Sequence, residues 1–192
     1  PGTGKSHTIN EQTEGESVIR TTFHPDSDYS TFVGAYKPTM GLLPICDELG
    51  QPMKIGSSVL HKEQIIYEFV DQAFLQAYVN AWKYYADNSE EIKKQYLIIE
   101  EINRGNCAQI LGALFQLLES KNGVSEFPIN AEEELKKYLR DVAHLDDFNK
   151  ICLPANLHIY ATMNTSDQSL FPMDSAFKRR WEMKYVKIDY KK

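Results

Sequence analysis

Residues 96–106 constrain the fold more than any other stretch of the chain; they read Tyr-Leu-Ile-Ile-Glu-Glu-Ile-Asn-Arg-Gly-Asn. Four apolar residues in a row predict a strand that is buried on both faces, as in a parallel sheet covered by helices. Two carboxylates, Glu100 and Glu101, follow where such a strand ends. In open α/β sheets the ligand crevice lies beyond the carboxyl ends of the strands. The stretch therefore predicts an α/β fold with an acidic ligand site at one edge of its sheet.

The first six residues, Pro-Gly-Thr-Gly-Lys-Ser, are the second informative motif. A full phosphate-binding loop reads Gly, four residues, then Gly-Lys-Ser/Thr, so Gly4-Lys5-Ser6 matches its end. Such glycines let backbone N–H groups surround phosphate oxygens, and the helix that follows favours anions at its N-terminus. The alternative is a flexible glycine turn. The predicted nucleotide-binding residues are Gly2, Thr3, Gly4, Lys5, Ser6 and His7.

The two motifs together predict an NTPase that uses magnesium. Lys5 would reach the β- and γ-phosphates, and the Ser6 hydroxyl and Glu100 would hold the metal. Glu101 would orient or deprotonate the attacking water. The alternative for the acidic pair alone is a solvated strand end. The first Gly of the loop and the strand before it are expected upstream of residue 1, so we interpret the chain as a fragment.

The remaining pattern alternates strands with helices, which favours a parallel α/β sheet in one domain. A length of 192 residues with 42% hydrophobic content allows one sizeable core. Residues 37–60 hold three prolines and three glycines and predict a long excursion such as a hairpin. We predict strands over 17–23, 96–99, 157–161 and 181–188, and helices after Ser6 and over 29–33, 64–86, 110–118, 131–143 and 172–180.

Composition excludes several other classes of function. The net charge of −6 gives no bulk attraction to nucleic acid or membranes, and no base-stacking or groove-reading motif is present. The sequence contains no run of eighteen apolar residues, so it predicts no membrane-spanning helix. The three cysteines are far apart and out of metal-ligand spacing, which fits a reducing cytoplasm and argues against a zinc site.

Two later groups could also take part in chemistry. Asn164 follows the predicted strand at 157–161, so its amide could hold the catalytic water, although the local pattern favours a helix-capping turn. Arg179 and Arg180 end a short predicted helix, where a guanidinium could stabilise transition-state charge on a neighbouring subunit's nucleotide. Local pattern again favours the alternative, a solvated basic cluster at a helix C-terminus.

In this order the motifs resemble the AAA+ NTPases, specifically the McrB-type motors of modification-dependent restriction systems. Residues 100–106 resemble the family's Asp-Glu-Ile-Asn-Arg-(Ala/Gly)-Asn signature. Residues 162–167 are similar to its Met-Asn-Thr-Ala-Asp motif, and 174–181 to its Asp-x-Ala-Leu-Arg-Arg-Arg-Phe run. Residues 23–38, which begin Phe-His-Pro-Asp, look like the segment after the family's second strand. The likeness covers nearly the whole chain.

The resemblance implies that residues 1–192 form the P-loop α/β large subdomain of an AAA+ protein, a parallel sheet flanked by helices. Its first strand and helical lid would be missing from this fragment. Asn164 becomes a sensor-1 residue and Asn103 a second polar group near the γ-phosphate. Arg179 or Arg180 becomes a finger or sensor between subunits.

The resemblance also implies Mg²⁺ with ATP or GTP as cofactor, and a ring, typically a hexamer. The expected partners are a McrC-like endonuclease and DNA, which would bind through a domain outside this chain. Two departures qualify this expectation. Glu100 replaces the usual Asp, and Gln168 replaces an Arg found in some relatives. They keep open a second hypothesis, a nucleotide-dependent scaffold with little hydrolysis. We expect weak or absent nucleotide binding by the fragment alone.

Overall fold

A computed structural model of the chain describes residues 4–87, 92–121, 123–145, 149–164 and 171–186. The helices in these ranges are α1 (Lys5–Gln12), α2 (Tyr29–Phe32), α3 (Ala73–Ala86), α4 (Cys107–Leu111), α5 (Glu133–Asp141) and α6 (Ser175–Lys178), with 3-10 segments at Ile102–Arg104 and Gly112–Leu118. The strands are β1 (Ser17–Thr22), β2 (Gly34–Pro44), β3 (Lys54–Ile55), β4 (Ser58–Val59), β5 (His61–Asp71), β6 (Gln95–Glu100), β7 (Ser120–Lys121), β8 (Val124–Ser125), β9 (Ile129–Asn130), β10 (Lys150–Ile151) and β11 (Leu157–Ala161).

The central sheet has the strand order β1-β6-β11, and both pairings are parallel. β6 lies in the middle, and its residues 96–99 are buried, as the run of apolar residues predicted. The register places Thr22 beside Glu100 and Ala161 beside Ile99. The carboxyl ends of all three strands therefore meet at one edge, which confirms the predicted α/β class.

Helix α3 supplies the largest apolar face against this sheet. Its buried side chains include Phe74, Leu75 and Tyr78, and burial of one such side chain contributes about 1.5–3 kcal/mol. The Phe74 ring lies 5.6 Å from Phe32, which in turn contacts Phe23 edge-on at 5.2 Å. This aromatic row connects α3 through α2 to the residue that follows β1.

A buried polar cluster closes the amino end of the sheet. Gln95 is fully buried, and its Oε1 accepts a 2.8 Å hydrogen bond from Ser17 Oγ. The Tyr84 hydroxyl donates to Ser17 Oγ at 3.2 Å, and Asn156 Nδ2 donates to the Ala81 carbonyl at 2.9 Å. Buried polar groups of this kind are normally paired in this way. The cluster joins α3 to all three strands at the end opposite the carboxylates.

Residues 35–70 form a separate compact unit. Within it β2 pairs with β5, and β3 pairs with β4 in a short antiparallel hairpin. The Tyr36 and Phe69 rings contact edge-on at 5.6 Å, and Thr39 Oγ1 donates to Glu68 Oε2 at 3.2 Å. The expected hairpin is thus present, but it is longer than predicted.

Two predicted elements need correction. The helix expected over 64–86 begins only at Ala73, because residues 64–71 belong to β5 and pair with β2. Ile65, Ile66 and Phe69 fit a helical stripe in spacing, but pairing with a distant strand decides their structure. No strand is present over 181–186; 187 and 188 lie outside the described residues. Among the described helices, none is long and apolar enough to cross a membrane.

Candidate active site

Glu100 lies at the centre of the polar contacts at the carboxyl edge of the sheet. Its Oε2 accepts a 3.1 Å hydrogen bond from Ser6 Oγ, although 94 residues separate the two in sequence. The same oxygen accepts a hydrogen bond from Thr162 Oγ1, and Oε1 forms an ion pair with Arg20. The Glu100 side chain is 15% exposed. The two residues predicted to hold magnesium are therefore in direct contact.

Helix α1 brings Ser6 to this edge. Gly4 precedes it in the left-handed conformation, with φ 76° and ψ 12°, which glycine adopts without a Cβ penalty. The Gly4 carbonyl accepts a 2.9 Å hydrogen bond from the Thr8 amide, which is the first backbone hydrogen bond of the helix. Lys5 is half-buried, and exposed His7 pairs with Glu11 one turn later at 3.4 Å. Gly2 and Thr3 lie outside the described residues.

Glu101 has an unusual backbone conformation for a residue with a side chain. Its φ of 53° and ψ of 46° lie in the left-handed region, which costs about 1–3 kcal/mol outside glycine. Its Oε2 is buried and forms no hydrogen bond with the described residues; the ion pair with Arg104 Nε is 3.4 Å long. The side chain as a whole is 28% exposed. This strained turn holds an incompletely satisfied carboxylate beside Glu100.

Thr162 connects the two carboxylates. Its Oγ1 donates a hydrogen bond to Glu100 and also accepts a 3.1 Å hydrogen bond from the Glu101 amide. The Thr162 backbone donates to the Ile99 carbonyl and accepts from the Ile102 amide, both at 2.9 Å. The residue is 4% exposed. One buried hydroxyl therefore fixes both acidic residues relative to the end of β11.

Asn103 and Asn164, both buried, are brought together in the structure. Asn103 Nδ2 donates to the Asn164 carbonyl at 2.8 Å, and Asn103 Oδ1 accepts the Asn164 amide at 3.4 Å. The Asn103 carbonyl also accepts the Phe171 amide at 2.9 Å. Asn103 thus binds the backbone on which Asn164 is carried, which makes it a positioning residue in this structure. Residues 165–170, including Gln168, lie outside the described residues.

The two candidate arginines differ in environment. Arg180 donates to the Ala176 carbonyl at 2.7 Å and to Glu119 at 2.8 Å, and its guanidinium lies 4.3 Å from the centre of the Phe115 ring. Its side chain is only 11% exposed. Arg179, in contrast, is exposed at the C-terminal end of α6. Arg180 is thus held by contacts within the chain, whereas the Arg179 side chain is open to solvent.

Arg20, like Thr162, is a residue at this site that the sequence prediction missed. One of its terminal nitrogens pairs with Glu100, and the other donates to Asn10 Oδ1 on α1. Arg20 pairs in register with Ile98, two residues before Glu100, and side chains two apart share a face of a strand. The alternation of side chains along a strand would have placed Arg20 on the same face of the sheet as Glu100. Using this alternation requires knowing that β1 pairs with β6, and the sequence alone does not show that pairing.

The donors gathered at Glu100 suit magnesium. Mg²⁺ prefers hard oxygen ligands, keeps several waters, and is usually held by one or two carboxylates together with substrate phosphates. Ser6 and Glu100 offer one hydroxyl and one carboxylate. Over the ranges that the structure covers, no group of three or more His, Cys, Asp or Glu could form a complete protein cage. A site shared with a nucleotide fits this donor set.

Comparison with known proteins assigns the class. A family model for the AAA domain (dynein-related subfamily) matches residues 1–181, so the chain belongs to this family. It is 37% identical over 202 residues to the Type II restriction enzyme BsuMI component YdiS of Bacillus subtilis, covering 98% of this chain and 55% of that protein.

A second relative is the Type IV methyl-directed restriction enzyme EcoKMcrB subunit of Escherichia coli K12. It is 26% identical over 191 residues, covering 94% of this chain and 32% of that protein. A crystal structure of a Cytophaga hutchinsonii protein aligns with a TM-score of 0.47 at 15% identity, over 97% of this chain and 40% of that one. The chain spans about half of one curated relative and about a third of the other. The predicted likeness to restriction-system components is confirmed.

Proposed function

We propose that the chain binds ATP or GTP with magnesium and hydrolyses the bond between the β- and γ-phosphates as the motor of a restriction system. The observation that carries this proposal is the 3.1 Å contact between Ser6 and Glu100. The two residues come from separate motifs, and the fold places them together where a parallel sheet opens its ligand crevice. Both relatives are components of restriction enzymes.

We assign the roles of the residues from their motifs and their positions. The start of α1 would supply backbone N–H groups and Lys5 for the phosphates, and Ser6 and Glu100 would hold the metal. A bound Mg²⁺ would neutralise charge on the phosphate oxygens. Glu101 orients and deprotonates the attacking water, and Asn164 holds that water from the neighbouring loop. Thr162 and Asn103 fix the backbone of these two groups.

The larger assembly is part of the same proposal. In the intact protein we infer a cytoplasmic ring, typically a hexamer, with each nucleotide between two subunits. Arg179 supports this arrangement because it is exposed, whereas Arg180 is held by Glu119 and Phe115. We further infer a McrC-like endonuclease as partner, and DNA binding through a domain outside the chain.

A second function is favoured by one observation. Glu100 is already paired with Arg20 and bound by two hydroxyls, which would weaken a carboxylate as a metal ligand. A chain of this kind could bind nucleotide and act as a scaffold with little hydrolysis. Single-turnover hydrolysis by the full-length protein, with and without a McrC-like partner, separates the two functions. Turnover that stays negligible with the partner supports the scaffold.

The proposed hydrolysis is tested by Glu101→Gln in the full-length protein. This variant keeps the size of the side chain but removes the base, so nucleotide affinity should stay near wild type while turnover falls about 10²- to 10⁴-fold. Glu133→Gln is the matched control, because Glu133 is exposed on α5 and pairs only locally with Lys136. Unchanged turnover in Glu101→Gln would refute the assigned role.

A further inference from the structure

Both oxygens of the Glu100 carboxylate are engaged by the protein itself. Ser6 and Thr162 donate to Oε2, while Arg20 pairs with Oε1. Arg20 therefore places a positive charge directly against one oxygen of the carboxylate. A dication that approaches the same carboxylate must therefore displace Arg20 or bind beside a fixed positive charge.

We propose that Arg20 is a competitor of the metal: it holds Glu100 while the magnesium site is empty and releases the carboxylate when Mg²⁺ binds. This inference rests on the proposed function, because it assumes that Glu100 is a metal ligand. Arg20 is then a positioning residue that sets how much metal the site needs. It is distinct from the groups that act on phosphate or water.

The geometry supports a side chain that can be released. Arg20 is 35% exposed, against 15% for Glu100, so the guanidinium has access to water on its outer side. It lies on the exposed face of β1, and its second terminal nitrogen donates to Asn10 Oδ1. Asn10 belongs to α1, the helix that carries Ser6. Through Asn10, Arg20 therefore gives α1 a second link to Glu100, besides the hydrogen bond from Ser6, and release of Arg20 would remove that second link.

A purely structural role makes the opposite prediction. If Arg20 only anchors α1 to the sheet, its removal loosens Ser6 and weakens metal binding. If Arg20 competes with the metal, its removal frees one carboxylate oxygen and strengthens binding. The sign of the change in metal affinity therefore separates the two roles.

The test is a titration of Mn²⁺ into full-length protein with a non-hydrolysable nucleotide analogue, followed by the electron paramagnetic resonance signal of free Mn²⁺. We expect Arg20→Met to lower the dissociation constant about fivefold, the effect of removing a partly exposed ion pair at the upper end of the measured range. Asn10→Ala should change it in the same direction by a smaller factor. Arg140→Met is the matched control, since it removes one exposed arginine charge on α5 and should leave the constant unchanged.

Arg20→Lys keeps the positive charge but cannot bridge Glu100 and Asn10 together, so its dissociation constant should fall between those of wild type and Arg20→Met. If Arg20→Met does not fold, Arg20→Lys and Asn10→Ala carry the test. Unchanged or weaker Mn²⁺ binding in the folded variants would overturn the inference. Glu100→Gln separates it from the proposed function. Wild-type binding that does not depend on Glu100 refutes both, whereas Glu100-dependent binding that is indifferent to Arg20 refutes only the competition.

Discussion

Thr162→Val is the sharpest test of how the site is built. Valine keeps the shape of threonine and both backbone hydrogen bonds, but it removes the hydroxyl between Glu100 and Glu101. A hydrogen bond to a charged group contributes about 1.5–3 kcal/mol, and a buried N–H left unpaired costs about 1–3 kcal/mol. Glu100 keeps its contacts with Ser6 and Arg20, and Glu101 is partly exposed. We therefore expect a net loss of about 2–3 kcal/mol.

Urea unfolding, followed by the fluorescence of Trp82 and Trp181, measures this loss. For a chain of this size it corresponds to a fall of about 4–12 °C in Tm. Thr162→Ser is the matched variant, because it retains the hydroxyl and removes only a methyl group, which costs about 1 kcal/mol. Equal stabilities for the valine and serine variants would show that the hydroxyl does not connect the two carboxylates.

Two further predictions concern packing and pH. Gly105→Ala should destabilise the chain by about 1–3 kcal/mol in urea unfolding. The added Cβ would lie 2.4 Å from Ile110 Cδ1 and 3.1 Å from the His24 carbonyl oxygen. A free energy of unfolding within about 0.5 kcal/mol of wild type would contradict the close packing at Gly105. Burial, with a smaller effect from Lys94, lowers the pKa of His158, so the unfolded state binds more protons near pH 6.5 and stability is lost as the pH falls below that value. The loss between pH 7 and pH 5 should be smaller in His158→Phe, and identical pH profiles for the two proteins would refute this linkage.

The parts of the fold set by local pattern were predictable from the residues. The strand at 95–100 is an unbroken apolar run, and its burial on both faces follows from that run. The start of α1 was predictable from the Gly-Lys-Ser motif, and the acidic strand end from the two consecutive glutamates. Both are local patterns in the sequence. Residues 64–71 show the limit, because Ile65, Ile66 and Phe69 suit either a strand or a helix. Their pairing with β2 is a long-range contact that spacing does not encode.

The candidate site divides in the same way. Ser6, Glu100 and Glu101 were predicted, because motif chemistry alone identifies them. The ion pair of Arg20 with Glu100 depends on the register between β1 and β6, and no local pattern contains it. The hydrogen bonds between the Asn103 side chain and the Asn164 backbone likewise require the 3-10 turn after β6 to face the end of β11. Tertiary pairing decides such contacts.

The central claim is that Ser6 and Glu100 form one magnesium site with the nucleotide. Its most direct test is a crystal structure of the full-length protein with Mn²⁺ and a non-hydrolysable nucleotide analogue, with the metal located by anomalous scattering. We expect one metal peak coordinated by Ser6 Oγ and a phosphate oxygen, with Glu100 bound to it directly or through a water. A nucleotide bound elsewhere, or a metal peak that contacts neither Ser6 nor Glu100, would contradict it.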